Sequence, residues 1–426
     1  MKFVKSLFGD ESDILTERNF QLLLVANIFS PLGVVVVSPI LDSLIEPFGT
    51  TPADIGLMMS VYTAPAILLI PVVGVLADRY GRKPVLITAM CLYGTAGSLI
   101  ALTTDFKIVL GLRLLQGIGF GGLTPIIITS IGDIYEGDRE ATGQGIRFTG
   151  SGISSTIFPL IAGGLVILAW QLPFLLFGVA IPVALVLFLW LNEPMNAATE
   201  EDDDSKEGVV TDGGSMGVQL RALYSLVEQR RVFAMVIARG LPMLIWIGFL
   251  TYSSIVVVRV QGGTSTQAGI IVALASIAYA AAASQAGRIT TRFDSRFYPL
   301  VGANACFGIG FVVFVVAPIL PLAGFGVLLL GTGFGVLLSL YRSIITGLAD
   351  ELLRGGLVSL AEAFGRVTST LAPIIMGGII ALTSPHVALG SAIQIAGITV
   401  AATTTLSGVT CLVVARRSSS TDRLSA

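Results

Sequence analysis

With 54% hydrophobic and 12% charged residues over 426 positions, the chain carries far less charge than an ordinary soluble protein, in which the charged share is about 25%. So few charges cannot cover the surfaces of two or three water-soluble domains, and the composition requires a bilayer as solvent. A net charge of −2 singles out no partner, and no nucleic acid is expected as one.

The first nineteen residues mix Lys2, Lys5, Asp10, Glu11, Asp13, Glu17 and Arg18 without an apolar core. No cleavable signal peptide is expected there, and the start of the chain is placed in the cytoplasm. Charge-free intervals then follow at 19–41, 55–77, 84–104, 114–132, 148–192, 240–258, 260–287, 297–341 and 367–415. A single-length interval suits one spanning helix of about 20 residues. The three double-length intervals are broken near their middles by "WQLP", "APILP" and "TSPH", so each is read as two helices and a tight turn. The total is twelve spans.

Arg113, Arg147, Arg239, Arg342 and Arg366 fall within helices, and only Lys107 and Arg259 fall at outer connections. All other basic residues lie inside, the bias that sets orientation, so both termini are placed in the cytoplasm and the chain in the plasma membrane. Between the sixth and seventh spans lies "EEDDDSKEGVVTDGG", which reads as an acidic linker within 192–230, followed by "RALYSLVEQRR", a short interfacial helix. The expected domains are 1–191 and 231–426, each of six helices.

The halves also match each other. At an offset of 213, "GTTPADIGL" (49–57) lies over "GGTSTQAGI" (262–270), Gly74 over Gly287, Arg79 over Arg292 and Lys83 over Arg296. One residue further on, "STIFPLIAGG" (155–164) lies over "STLAPIIMGG" (369–378). The expected fold is an all-α membrane protein: twelve transmembrane helices in two six-helix bundles, related by a pseudo-two-fold axis along the membrane normal.

Cys91, Cys306 and Cys411 sit in apolar runs and the single His386 in an outer turn, so no disulfide framework, metal site or cofactor is expected. "GIGFGG" (117–122) fits a dinucleotide fingerprint in letters only. No strand precedes it, and its glycines are read as helix packing. No phosphate-binding Gly-x4-Gly-Lys-Ser/Thr loop is present.

The connection "GVLADRYGRKP" (74–84) resembles the signature between the second and third helices of the major facilitator superfamily, with Gly74, Leu76, Asp78, Arg79, Gly81, Arg82 and Lys83 in its positions. By residue type, Gly74 would let two helices approach closely and Gly81 would supply the positive φ of a tight turn. Asp78 is placed to meet the positive N-terminus of a neighbouring helix. The resemblance implies that this neighbour is the eleventh, beginning near Gly355, and that the contact locks an outward-open state. "GDIYEGDREATGQ" (132–144) resembles the family's next inner connection, with Asp133 near a helix end and Arg139 in the loop. Asp133 is a partner for Arg79 or Arg82, a pair worth about 0–1 kcal/mol if exposed.

"LRLLQGIGFGG" (112–122) is similar to the family's fourth-helix pattern, with Arg113 followed by Gln116. An arginine there needs a carboxylate, carbonyls or water unless it snorkels to the headgroups, and the resemblance ties it to proton or substrate coupling. "GSGISSTIFPLIAGG" (150–164) resembles the antiporter motif of the fifth helix, with Phe158 where the family has glycine. It makes Pro159, Gly163 and Gly164, with Pro373 in the second half, candidates for helix bending.

Glu362 is the one carboxylate placed well inside a span, and Glu362, Arg366, Ser369 and Pro373 share a helix face. Glu362 and Arg366 stand in the favourable order for an ion pair. Asn27, Ser30, Val34 and Ser38 share a face of the first helix, and Arg239, Met243, Trp246 and Leu250 one of the seventh. These faces are the candidate cavity walls. The sequence therefore points to a monomeric secondary transporter and away from an enzyme, for which no nucleophile, base or metal set converges. Efflux of a small organic solute in exchange for protons is the leading reading, with uptake of an organic anion as the alternative.

Overall fold

The computed structural model of the chain describes residues 10–193, 216–290, 292–293 and 295–422. The expected acidic linker lies mostly outside the described residues. No strand occurs among them. The α-helices are α1 Arg18–Asn27, α2 Phe29–Val35, α3 Leu41–Ile45, α4 Leu57–Thr63, α5 Pro65–Tyr80, α6 Arg82–Leu99, α7 Phe106–Ile134, α8 Gly137–Leu168, α9 Leu172–Gly178, α10 Ala180–Trp190, α11 Met216–Glu228, α12 Arg230–Gly240, α13 Pro242–Ile255, α14 Ser265–Thr290, α15 Phe297–Val316, α16 Leu320–Thr346, α17 Glu351–Thr383 and α18 Leu389–Asp422.

Among the described residues, eleven stretches are long and apolar enough to cross a bilayer, several joining two or more of these helices, as 18–45 joins α1 to α3. A bent pair, Leu57–Ile70 with Val72–Tyr80, turned by 56° about Pro71, makes the twelfth. Leu68, Leu102, Leu168 and Leu382 are each more than three-quarters exposed, a face that suits lipid better than water.

The breaks fall where proline and capping residues put them. Residues 169–171 separate α8 from α9, which has Pro173 in its first turn, and Pro321 opens α16. Asp105 caps α7, accepting from the backbone N–H of Lys107 at 2.8 Å. Helices run further than the charge-free intervals. α8 has 32 residues and holds Asp138 and Glu140 in its first turn, since at about 1.5 Å per residue it outreaches a hydrocarbon core of about 30 Å.

The described residues form two compact units. The first holds those up to Thr50 and from Leu57 to Glu193, and the second holds Thr51–Gly56 and those from Met216 onward. Thr51–Gly56 packs in the second unit because the Tyr252 hydroxyl donates toward the carbonyls of Pro373 and Ala53, at 3.3 and 3.4 Å. The internal repeat is visible in backbone detail. Gly49 and Gly262, paired at offset 213, have φ of 57° and 66°. Two residues on, the Asp54 N–H donates to the Thr51 hydroxyl at 3.1 Å, and the Gln267 N–H to the Thr264 hydroxyl at 3.3 Å. Both copies thus carry the same hydroxyl cap ahead of a helix.

Close packing within the first unit runs through the glycines of α7. A Cβ on Gly119 would lie 2.7 Å from the Ala89 carbonyl oxygen and the Tyr93 nitrogen of α6, and one on Gly122 would lie 2.8 Å from the Ala89 Cβ. The reading of "GIGFGG" as a packing surface is met by this geometry. Gly74 behaves otherwise: a Cβ there would meet nothing within 4 Å, so it brings no two helices together. The expectation of close approach is corrected because Gly74 lies on an open face of α5, while the helix contact is made by glycines of α7.

Candidate functional site

The signature loop is a single residue, Gly81, between α5 and α6. Its φ of 93° is open to glycine at little steric cost. A side chain there would also run into the Glu193 carboxylate, which sequence reasoning passed over. Glu193 accepts from the backbone N–H groups of Arg82 at 2.6 Å and Lys83 at 3.2 Å. It closes the N-terminus of α6 as an intrahelical cap would, from more than a hundred residues away. Substituting Glu193→Ala is expected to cost about 1 kcal/mol, the usual loss of a cap, read as a lowered melting temperature of the purified protein. An unchanged melt would mean that water replaces the carboxylate without loss.

Arg82 is the centre of the charge cluster. Its Nη1 donates to Asp78 at 2.6 Å and its Nε to Asp133 at 2.9 Å. Of the two partners considered for Asp133, the structure therefore selects Arg82, while Arg79 lies over the Tyr80 ring at 5.3 Å. Lys83 extends toward the Phe188 ring at 5.8 Å. Asp133 stands in the last turn of α7 as expected. Arg139 does not lie in a loop: it is in the first turn of α8, because the connection shrinks to Tyr135 and Glu136. It donates to Glu17 at 2.6 Å, and the Tyr135 hydroxyl donates to the other Glu17 oxygen, also at 2.6 Å. Burial, then the bond to Glu17, pushes the Tyr135 hydroxyl well above its ordinary pKa. The eleventh span, Leu353–Thr383, begins near Gly355 as expected, in a helix that starts at Glu351 with Asp350 at its N-cap position.

Deeper in the first unit Arg113 is fully buried, which rules out snorkelling. Of the options left open, it takes carbonyls. Nη2 donates to the Gly33 carbonyl at 2.8 Å, Nε to that of Met58 at 3.1 Å, and Nη1 to the Gln116 side-chain oxygen at 2.7 Å. The Tyr62 ring covers the guanidinium at 4.5 Å, an attraction of about 2 kcal/mol when desolvated. Gly33 makes this possible, since any side chain there would collide with Tyr62. Asn27 donates to the Arg147 carbonyl at 3.0 Å and to the Ser151 hydroxyl at 2.9 Å, and Ser30 pairs with Thr124. α8 runs through Pro159 as one helix, and a Cβ on Gly164 would meet nothing within 4 Å.

In the second unit, Glu362 of α17 accepts from Arg239 Nη2 of α12 at 2.6 Å. The partners differ in exposure, 5% for the arginine side chain and 48% for the carboxylate. Arg239 Nη1 is buried without a hydrogen-bond partner and borders Gly365. This long-range pair was missed because the reading matched Glu362 with Arg366 on its own helix. Arg366, one turn along, is half-buried. Trp246 lies flat on Phe334, 4.3 Å between centroids and 5° from parallel, with Tyr279 5.8 Å away. Pro373 supplies a carbonyl to Tyr252 within an unbroken α17.

This duplicated helical chain, with its buried arginine, its ion pair between two spans and its glycine-turned basic loop, has relatives among known proteins. A sequence model of the Major Facilitator Superfamily fits residues 23–373. The chain belongs to this superfamily. It is 31% identical over 150 residues to the bacillibactin exporter of Bacillus subtilis (strain 168), covering 34% of this chain and 37% of the exporter. It is 23% identical over 362 residues to the class B tetracycline resistance protein of Escherichia coli, covering 83% of this chain and 86% of that protein. The match thus spans only about a third of the length of the exporter and of the multidrug transporter MdtP of Bacillus subtilis, 37% and 31%. In fold, the chain is similar to a bacterial homologue of the human lysosomal transporter Spinster, with a TM-score of 0.74 at 16% identity over 94% of this chain and 96% of the other.

Proposed function

We propose that this superfamily member is a secondary transporter that exports a small organic solute in exchange for protons. The observation that carries the reading is the unequal Arg239–Glu362 pair, with a buried cation at 2.6 Å from a carboxylate that is 48% exposed. A carboxylate at the centre of a span costs about 2.5–3.5 kcal/mol on insertion scales, which the adjacent arginine offsets only while Glu362 is charged. Protonation through its exposed side removes that attraction and frees Arg239, so proton occupancy at Glu362 can bias two conformations of the protein. In this reading the Asp78–Arg82–Asp133 cluster, with Gly81, Lys83 and Arg139, forms the gate, and Arg113, Gln116, Asn27, Trp246 and Arg366 belong to the solute and proton path. The chain is placed in the plasma membrane as a monomer with both termini in the cytoplasm.

The test is Glu362→Gln in proteoliposomes, with ethidium as the cationic probe and benzoate as the anionic one. Ethidium flux driven by a pH gradient is expected to fall about tenfold or more, equivalent to about 1.4 kcal/mol in the coupled step, while ethidium binding persists. Undiminished flux would remove Glu362 from coupling. The unpartnered Nη1 of Arg239 favours the second reading, an uptake permease for organic anions, since a buried donor suits a carboxylate. Benzoate accumulation that survives collapse of the proton gradient would select it.

A further inference from the structure

Apart from the gate and the coupling pair, one cleft in the second unit is lined by three arginines from separate parts of the chain. Arg231 comes from the first turn of α12, Arg296 from the N-cap position of α15, and Arg416 from the last part of α18. The space between them is about 160 Å³, enough for a phosphate group and some water, and no carboxylate among the described residues lines it. All three arginines are exposed, and an anion held between them would relieve their mutual repulsion. Two are also held in place: the Arg416 guanidinium lies over the Phe297 ring at 4.6 Å, and Arg296 Nη1 donates to the Ser343 hydroxyl at 3.1 Å.

The rest of the lining separates a soluble anion from a membrane-borne one. Met235, Leu300 and Leu412, each buried, form the apolar floor behind the guanidinium groups. Close in the chain to lining residues, Phe233 and Phe293 are about half exposed and Tyr298 is 55% exposed, and tyrosine is a residue typical of the headgroup level. The repeat adds a contrast. Arg296 is the counterpart of Lys83, and in the first unit the carboxylate of Glu193 closes the loop beside Lys83. In the second, the described lining of the cleft holds no such carboxylate.

We propose that this cleft binds a phosphate group, carried on an anionic phospholipid whose acyl chains run along the exposed rings of Phe233, Phe293 and Tyr298. Guanidinium forks suit phosphate oxygens in paired hydrogen bonds, and a headgroup without a compensating cation is favoured where three positive charges converge.

The experiment uses the full-length protein purified in detergent, with phosphatidylglycerol, phosphatidylcholine or inorganic phosphate added, and reads retained lipid by native mass spectrometry and stability by thermal unfolding. Phosphatidylglycerol is expected to be retained and to raise the melting temperature, and phosphatidylcholine to do neither. The triple variant Arg231→Gln, Arg296→Gln, Arg416→Gln is expected to bind phosphatidylglycerol about a hundredfold more weakly. The charge-matched variant Arg221→Gln, Arg288→Gln, Arg354→Gln, altered at exposed sites elsewhere, should bind it like the wild type. Equal loss in both variants would reduce the effect to net charge and overturn the site. Stabilisation by inorganic phosphate matching that by the lipid would overturn the lipid assignment, and indifference to both would overturn the cleft as an anion site.

Discussion

Arg113→Lys is expected to lower the unfolding free energy of the protein by about 2–5 kcal/mol although the charge is kept. The guanidinium reaches the Gly33 carbonyl on α2, the Met58 carbonyl on α4 and the Gln116 oxygen on α7 in three directions at once. A lysine ammonium on a shorter head cannot span them, and each lost hydrogen bond to a charged group is worth about 1.5–3 kcal/mol. The loss exceeds any gain in desolvation, because the lysine charge stays buried and has fewer acceptors. Arg113→Met tests the other half of the balance. It removes the buried charge together with its bonds, so it should destabilise less than lysine while leaving three acceptors without donors. A lysine variant that melts with the wild type would mean that the arginine does not tie these helices together.

A second large effect is expected from one substitution made at two places on α7. Gly119→Ala puts a methyl group 2.7 Å from backbone atoms of α6, which cannot move aside as a flexible side chain could. The overpacking cost is typically about 1–3 kcal/mol and outweighs the helix propensity gained, about 0.5–1 kcal/mol. At Gly121 the nearest atom, the Leu69 Cβ, would be at 3.5 Å, an ordinary contact. Gly121→Ala should therefore keep the propensity gain and match or exceed wild-type stability. Thermal unfolding of the two variants in one detergent decides it, and equal melting points would contradict the proposed seam between α6 and α7.

Local chemistry sufficed for the spans, their breaks and the turn at Gly81. Spanning length is set by an uninterrupted apolar run, the breaks by proline and polar clusters, and the turn by a φ of 93° that only glycine adopts easily. The duplication was legible for the same reason: Gly49 and Gly262 serve the same local backbone need, and the hydroxyl caps at Thr51 and Thr264 recur with them.

Partner choice was legible only where few candidates existed. Asp133 had two arginines within reach of its loop, and the structure selects Arg82. Glu362 was matched to its own helix because an i, i+4 neighbour is visible in a sequence, whereas Arg239 lies 123 positions away. Glu193 escaped for the same reason, as did the open surroundings of Gly74, where the family signature suggested contact. The amino-acid order by itself determined how many times this chain can cross a bilayer, where it turns and that it repeats, because each depends on solvation and backbone preference within one or two turns. Only the tertiary structure decided which charges meet and which glycines touch, because those distances depend on how separate helices pack side by side.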